Sequence, residues 1–224
     1  MQCTGRMERS QEKTKRTAIY GGSFNPIHTG HTQLARWITE QGYADELWFL
    51  VSPLNPLKQE ASSTLLPDDV RLHLAQLAIE EDAENQPTRM PGLLRVSDFE
   101  MHLPRPSYMV NTLKELRRTY PDHDFLLLIG ADNWLCFDQW YQPEDILAHH
   151  RILVYPRKGY PIDPSSLPPC VTLLDSAPLF PTSSTLIRQA IQQGTCQGEW
   201  LATSVWQEIR QEGYYASDIH EAKG

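Results

Sequence analysis

Two histidines three residues apart, His28 and His31, close the stretch AIYGGSFNPIHTGH, which also carries the pair Gly21 and Gly22, Pro26 and Gly30. Gly21 and Gly22 let the backbone approach an oxygen-rich group, and Pro26 stiffens the turn. Gly30 falls where a helix begins, with its first N–H groups pointing outward. An imidazole beside such a turn can donate an N–H whether neutral or charged. Together these features suit a phosphate. The stretch is neither GxGxxG nor a loop closed by GK[ST], so it is not one of the common phosphate loops. A zinc pair at His28 and His31 lacks a third ligand in the sequence. Far along the chain, Ser183, Ser184 and Thr185 cluster before an amphipathic pattern with Arg188 one turn later. Alone they read as an ordinary helix cap; paired with HTGH they read as a second grip on phosphate oxygens.

Those residues need elements to carry them. TAIY predicts a strand, His31 to Gln41 a helix with Leu34, Trp37 and Ile38 on one face, and Gly42 its stop. ELWFLV then predicts a buried strand, and Asp68 to Glu81 a helix with Val70, Leu74 and Leu77 aligned. The alternation continues through LLRVSD, a helix from Val110 to Arg118, the strand DFLLLIG, a helix near Pro143 to Ala148, RILVY and VTLL. Two terminal helices follow, ended by Gly194 and Gly213. Apolar strands alternating with helices predict an α/β fold: a Rossmann-like, doubly wound parallel sheet with helices on both faces and a small C-terminal helical extension. In such a sheet the turn after the first strand, where AIYGGSFNPIHTGH lies, is a favoured ligand position.

The chain has 224 residues, 20 Lys+Arg against 28 Asp+Glu and a net charge of −8, enough for one domain with its own core. Residues 17–215 are read as that domain, with loose tails at 1–16 and 216–224. An acidic balance argues against holding long nucleic acid by counterion release. Four scattered cysteines, Cys3, Cys136, Cys170 and Cys196, form no CxxC pair and fit a reducing cytoplasm. No apolar run reaches the roughly 20 residues of a membrane span, and the first sixteen residues lack the apolar core of a signal peptide. Oligomeric state is not legible.

GGSFNPIHTGH resembles the phosphate-binding signature of the HxGH nucleotidyltransferases, and TSSTLIR, Thr182 to Arg188, is similar to the ISSTxIR motif of the same superfamily, with Thr182 where isoleucine is usual. IGAD (Ile129 to Asp132), NPLK (Asn55 to Lys58), PSYMVNTL (Pro106 to Leu113) and Trp140 further resemble the bacterial nicotinate mononucleotide adenylyltransferases, from Thr17 to Tyr215. Two departures stand out: Leu57 where that family often has histidine, and Met109 where it has threonine.

The resemblance implies transfer of adenylyl from ATP to a pyridine mononucleotide, expected to be nicotinate mononucleotide, with release of pyrophosphate and with Mg²⁺ accompanying the triphosphate. His28, His31 and Arg188 would act on the reacting phosphates. Gly22, Ser23, Phe24, Lys58, Gly130, Asp132, Ser183, Ser184 and Thr185 would bind ATP. Tyr108, Met109, Trp140 and Arg157 would bind the mononucleotide, Trp140 offering its face to the ring. For Lys58 and Arg157 a solvated surface charge is the competing reading, and for Asp132 a helix cap. Nicotinamide mononucleotide or pantetheine phosphate as acceptor is the alternative within the enzyme class. A nucleotide-binding regulator without turnover is the alternative outside it.

Overall fold

The computed structural model describes residues 14–53, 65–85 and 93–216. Lys58 with the rest of NPLK, most of the N-terminal tail and the end of the C-terminal one lie outside the described residues. Six strands, β1 (Lys15–Gly22), β2 (Glu46–Val51), β3 (Leu94–Ser97), β4 (His123–Gly130), β5 (Arg151–Tyr155) and β6 (Val171–Leu173), form one sheet in the order β3-β2-β1-β4-β5-β6. Every pairing is parallel. The strand order reverses direction at β1 and β4, so a crevice opens beyond their carboxyl ends, where GG of β1 and IG of β4 finish.

Strand alternation divides the core in two. Ala18, Tyr20, Phe49 and Leu128 face one cluster, which is covered by α1 (Thr29–Glu40), α2 (Asp68–Glu84), α6 (Ser184–Gln192) and α7 (Thr203–Glu212). Ile19, Leu50, Leu127 and Val154 face the other, under α3 (Met109–Thr119) and α5 (Pro143–His149), with the short α4 (Ala131–Trp134) at its edge. Strands buried on both faces explain why their sequences read as unbroken apolar runs.

Two expectations are corrected. β1 starts at Lys15, inside the segment read as a tail, because Lys15 and Arg16 pair with His123 and Asp124 of β4, and their charges meet Glu46 and Asp45. In α2 the buried stripe is Arg71, Leu74, Ala75 and Ala78, while Val70 and Leu77 are only partly buried. The helix is turned because it buries an arginine, which hydropathy assigns to the surface. Arg71 is 0 % exposed. It donates to the carbonyls of Ser23 (2.6 Å), Ser52 (2.9 Å), Pro53 (3.3 Å) and Leu66 (2.9 Å), and pairs with Asp68 at 2.5 Å. It thus ties the loop after β1 to both stems of the loop after β2.

Candidate active site

The crevice holds a cavity of about 430 Å³. The described residues that the sequence places in the site all line it: the GGSF turn, His28 and His31, then Tyr108 and Met109, Gly130 and Asp132, Trp140, Arg157, and finally Ser183, Ser184, Thr185 and Arg188.

The end of the cavity that the two motifs assign to phosphate is built from two helix starts. His28 is the cap residue of α1, in extended conformation (φ −146°), so the helix begins two residues before the expected His31. The His28 backbone N–H donates to His31 Nδ1 at 3.2 Å. That nitrogen therefore accepts, and a neutral His31 ring carries its proton on Nε2. The two imidazoles stack with centroids 3.7 Å apart. Burial, aided by the positive charge of Arg157, lowers the His28 pKa from 6.5 to about 3, so this ring is neutral near pH 7. Gly30 is needed for that packing, since a Cβ there would lie 3.1 Å from both the His28 ring and Phe180.

Phe24 enters this turn with φ +44°, a conformation that strains a bulky residue by about 1–3 kcal/mol. Its ring is 3 % exposed and packs edge-on against Tyr20, Phe49 and His31, which holds the strained backbone in place. The next two carbonyls are gripped from α6: Arg188 Nη1 donates to Asn25 O at 2.8 Å and Ser184 Oγ to Pro26 O at 2.9 Å. Ser183 is an ordinary cap as well, accepting from Leu186 N–H at 3.3 Å. The cluster thus caps α6 and also lines the cavity. Asn25, in the quoted stretch but given no role from sequence, accepts on Oδ1 from Leu66 N–H (3.2 Å) and from the Tyr215 hydroxyl (2.7 Å).

Between the two ends, Asp132 Oδ1 lies 3.4 Å from Arg157 Nε, and Arg157 Nη2 donates to the Tyr155 hydroxyl at 3.1 Å. The Tyr20 hydroxyl donates to the same oxygen at 3.0 Å, and burial raises the Tyr20 pKa well above its usual value. Gly130 makes room here, because a Cβ would collide with Asp132 and crowd Arg157 and Tyr155. Tyr20 and Tyr155 were hidden in sequence as strand aromatics. Their only sign is position at the carboxyl ends of β1 and β5.

At the far end Met109 reaches across to β1, so that a Cβ on Gly21 would sit 2.9 Å from its Cε. Tyr108 stacks against the half-exposed Tyr141, centroids 4.5 Å apart, and Trp140 packs against Phe137. Glu100 and Ser107, also unassigned from sequence, are buried in this wall.

No group of three or more His, Cys, Asp or Glu able to hold a metal ion occurs among the described residues. Asp132 is the carboxylate beside the arginine, and a single carboxylate fits a divalent ion that arrives with a nucleotide and keeps most of its waters. The three described cysteines are thiols, and no helix among the described residues is long and apolar enough to cross a membrane.

Residues 19–190 match the cytidylyltransferase-like family. A probable nicotinate-nucleotide adenylyltransferase of Bacteroides thetaiotaomicron is 48 % identical over 205 residues, 92 % of this chain and 96 % of that relative. Its counterpart in Porphyromonas gingivalis is 40 % identical over 86 % of this chain and 92 % of its own. In fold, the chain is similar to Plasmodium falciparum nicotinic acid mononucleotide adenylyltransferase solved with NaAD, with TM-score 0.73 at 20 % identity over 90 % of this chain and 97 % of that one. By these matches, and with both phosphate motifs converging on one cavity, the chain belongs to the cytidylyltransferase-like family and, within it, to the nicotinate-nucleotide adenylyltransferases.

Proposed function

We infer that the chain transfers adenylyl from ATP to nicotinate mononucleotide, forming nicotinate adenine dinucleotide and pyrophosphate for NAD synthesis in the cytoplasm. The observation that carries this reading is the meeting of the starts of α1 and α6, with His28, His31 and Arg188, on one cavity that also holds an aromatic wall at its other end.

The mononucleotide phosphate is anionic at neutral pH. It attacks the α-phosphorus of ATP, the bond to the β-phosphate oxygen breaks, and pyrophosphate leaves with the electron pair. No general base is required. The protein supplies alignment and donors for the charge that builds on the phosphoryl oxygens. His31 Nε2–H, fixed by the backbone bond to Nδ1, is aimed at the α-phosphate oxygens, and neutral His28 stacks behind it. The α6 N–H groups, the Ser183 to Thr185 hydroxyls and Arg188 hold the departing pyrophosphate. Arg157 takes the mononucleotide phosphate, which releases Asp132 from its ion pair to accept ribose hydroxyls or magnesium-bound water. Asp132 would hold water of a Mg²⁺ ion bound with ATP, and the ion would offset charge on the triphosphate. Lys58 is assigned to the same phosphates by its motif alone.

The test is to incubate the purified chain with ATP, Mg²⁺ and each of nicotinate mononucleotide, nicotinamide mononucleotide and pantetheine phosphate, following pyrophosphate and dinucleotide together. Equimolar pyrophosphate and nicotinate adenine dinucleotide are expected. ATP binding without pyrophosphate release on any acceptor would replace this reading with a regulatory one.

A further inference from the structure

Tyr155 ends β5 and Arg157 follows two residues on, a spacing that puts both side chains on one face of an extended chain. Arg157 Cζ lies 5.6 Å from the centre of the Tyr155 ring, and Nη2 donates to the Tyr155 hydroxyl at 3.1 Å. The charged partner of the arginine is Asp132, with Oδ1 3.4 Å from Nε. These contacts engage Nε and one hydrogen of Nη2, and leave the rest of the fork for an anion. Arg157 and Asp132 keep side chains 39 % and 30 % exposed, whereas Tyr155 and Tyr20 are buried. All four line the cavity.

The two partners of Arg157 differ in kind. A carboxylate offsets the charge of the guanidinium that it holds, and so competes with a phosphate for the same cation. A hydroxyl holds the guanidinium through a neutral oxygen and leaves its charge to the phosphate. Tyr155 is itself fixed. The Tyr20 hydroxyl donates to its oxygen at 3.0 Å, and the two rings meet edge-on with centroids 5.8 Å apart. They reach each other across β4, the strand between β1 and β5, beside its last residue Gly130, where a Cβ would lie 3.1 Å from Tyr155 Cζ. The Tyr20 ring in turn packs edge-on against Phe24 at 5.6 Å and His31 at 5.7 Å. A continuous set of contacts therefore runs from His31 in the first turn of α1, through Tyr20 and Tyr155, to Arg157 beyond β5.

We propose that Tyr155, braced by Tyr20, is a positioning residue for the acceptor substrate: its hydroxyl keeps the Arg157 guanidinium in place when Asp132 gives up the ion pair, so that the mononucleotide phosphate is held in line with the α-phosphate served by His31. The proposal rests on the reading that Arg157 binds the mononucleotide phosphate. Both tyrosines act through the arginine.

The experiment measures kcat and KM for nicotinate mononucleotide and for ATP in the parent chain, Tyr155→Phe, Arg157→Ala and Tyr155→Phe/Arg157→Ala, following pyrophosphate. Phenylalanine keeps the ring beside Arg157 and removes the anchoring oxygen. Tyr155→Phe is expected to lower kcat/KM for the mononucleotide about tenfold or more, because a small displacement of the nucleophile is costly, while KM for ATP stays within about twofold. In the Arg157→Ala background the same substitution should change kcat/KM for the mononucleotide by less than about twofold, since the group through which the hydroxyl acts is gone. A purely structural tyrosine would lower it by the same factor in both backgrounds. That result, or parent kinetics in Tyr155→Phe, overturns the proposal. If Tyr155→Phe does not fold, Tyr20→Phe/Tyr155→Phe removes both hydroxyls and leaves neither tyrosine oxygen orphaned. The double variant is expected to show the same loss on the mononucleotide, and an equal rise in KM for ATP overturns the proposal. Parent kinetics in Arg157→Ala would take the arginine out of the phosphate site and the proposal with it, while adenylyl transfer stands. No pyrophosphate from the parent chain overturns the functional reading itself.

Discussion

The two ends of the cavity are built by different rules. At the phosphate end, backbone and side chains within two short segments bond one another: His28 N–H to His31, Arg188 and Ser184 to the carbonyls of Asn25 and Pro26. At the base end Glu100 comes from a 3₁₀ turn, Ser107 and Met109 from the start of α3 and Trp140 from the turn after α4, and three of their polar atoms have no partner among the described residues. Phosphate needs donors in a fixed array, which helix starts provide wherever a chain forms them. A base needs a matched set of acceptors and donors, which only tertiary packing assembles. The first end can therefore be written in two short motifs, whereas the second depends on which segments the fold brings together.

The largest effect is expected from His31→Ala. If His31 Nε2–H strengthens its bond as charge moves onto the phosphate, kcat falls by about 10²–10³-fold, as when one oxyanion donor is removed, while KM for ATP changes little. Steady-state kinetics check this. A change confined to KM would show that the histidine holds ground-state ATP, and the phosphate end would then be a binding platform like the base end.

Arg188→Lys comes next. The guanidinium already spends one nitrogen on Asn25 O and has others in the same plane for a phosphate oxygen. Lysine keeps the charge but cannot serve both in fixed geometry, so kcat/KM for ATP should fall about tenfold to a hundredfold. Parent-like kinetics in the lysine variant would mean that the brace on Asn25 is dispensable.

The comparison also explains what the sequence could and could not show. The phosphate end was legible because its donors are local: HTGH and SSTLIR each start a helix, and alternation of apolar strands with helices sets both starts at one edge of the sheet. Met109 and Trp140 were legible through resemblance to a family. Glu100 was not, since a glutamate in a polar stretch carries no sign of its bond to Thr112 or its burial. Arg71 was missed for the same reason, and α2 was rotated as a result. Buried charge inverts the hydropathy signal on which periodicity depends.

His28 gives a pH test of the phosphate end. Its pKa is depressed from 6.5 in the unfolded chain to about 3 in the fold, so between these values the unfolded state binds the extra proton. The stability linked to this group is complete above pH 6.5 and drains away as pH falls toward 3. Between pH 6.5 and 5 the slope of 1.36 kcal/mol per unit amounts to about 2 kcal/mol. Urea unfolding at pH 7.5 and pH 5 should show the parent losing about that much more than His28→Asn, which has no titration to lose. Equal losses would mean that the ring is accessible enough to protonate in place.

The smallest effect tests whether the chain's C-terminal turn belongs to the phosphate end at all. Tyr215 follows α7 with φ +64° and donates its hydroxyl to Asn25 Oδ1 at 2.7 Å. Burial raises its pKa well above the usual tyrosine value, so the proton needed for that bond stays on through any ordinary assay pH. Asn25 carries on its backbone the carbonyl that Arg188 grips, and its Oδ1 keeps the Leu66 N–H if the tyrosine bond is lost. Removing one of two donors to a satisfied oxygen costs about 1 kcal/mol. Tyr215→Phe should therefore lower stability to urea by about that amount, with kcat/KM for ATP reduced no more than about threefold, because α6 still fixes the turn. A loss of kcat near that of Arg188→Lys, with stability unchanged, would instead make the C-terminal turn part of the phosphate grip.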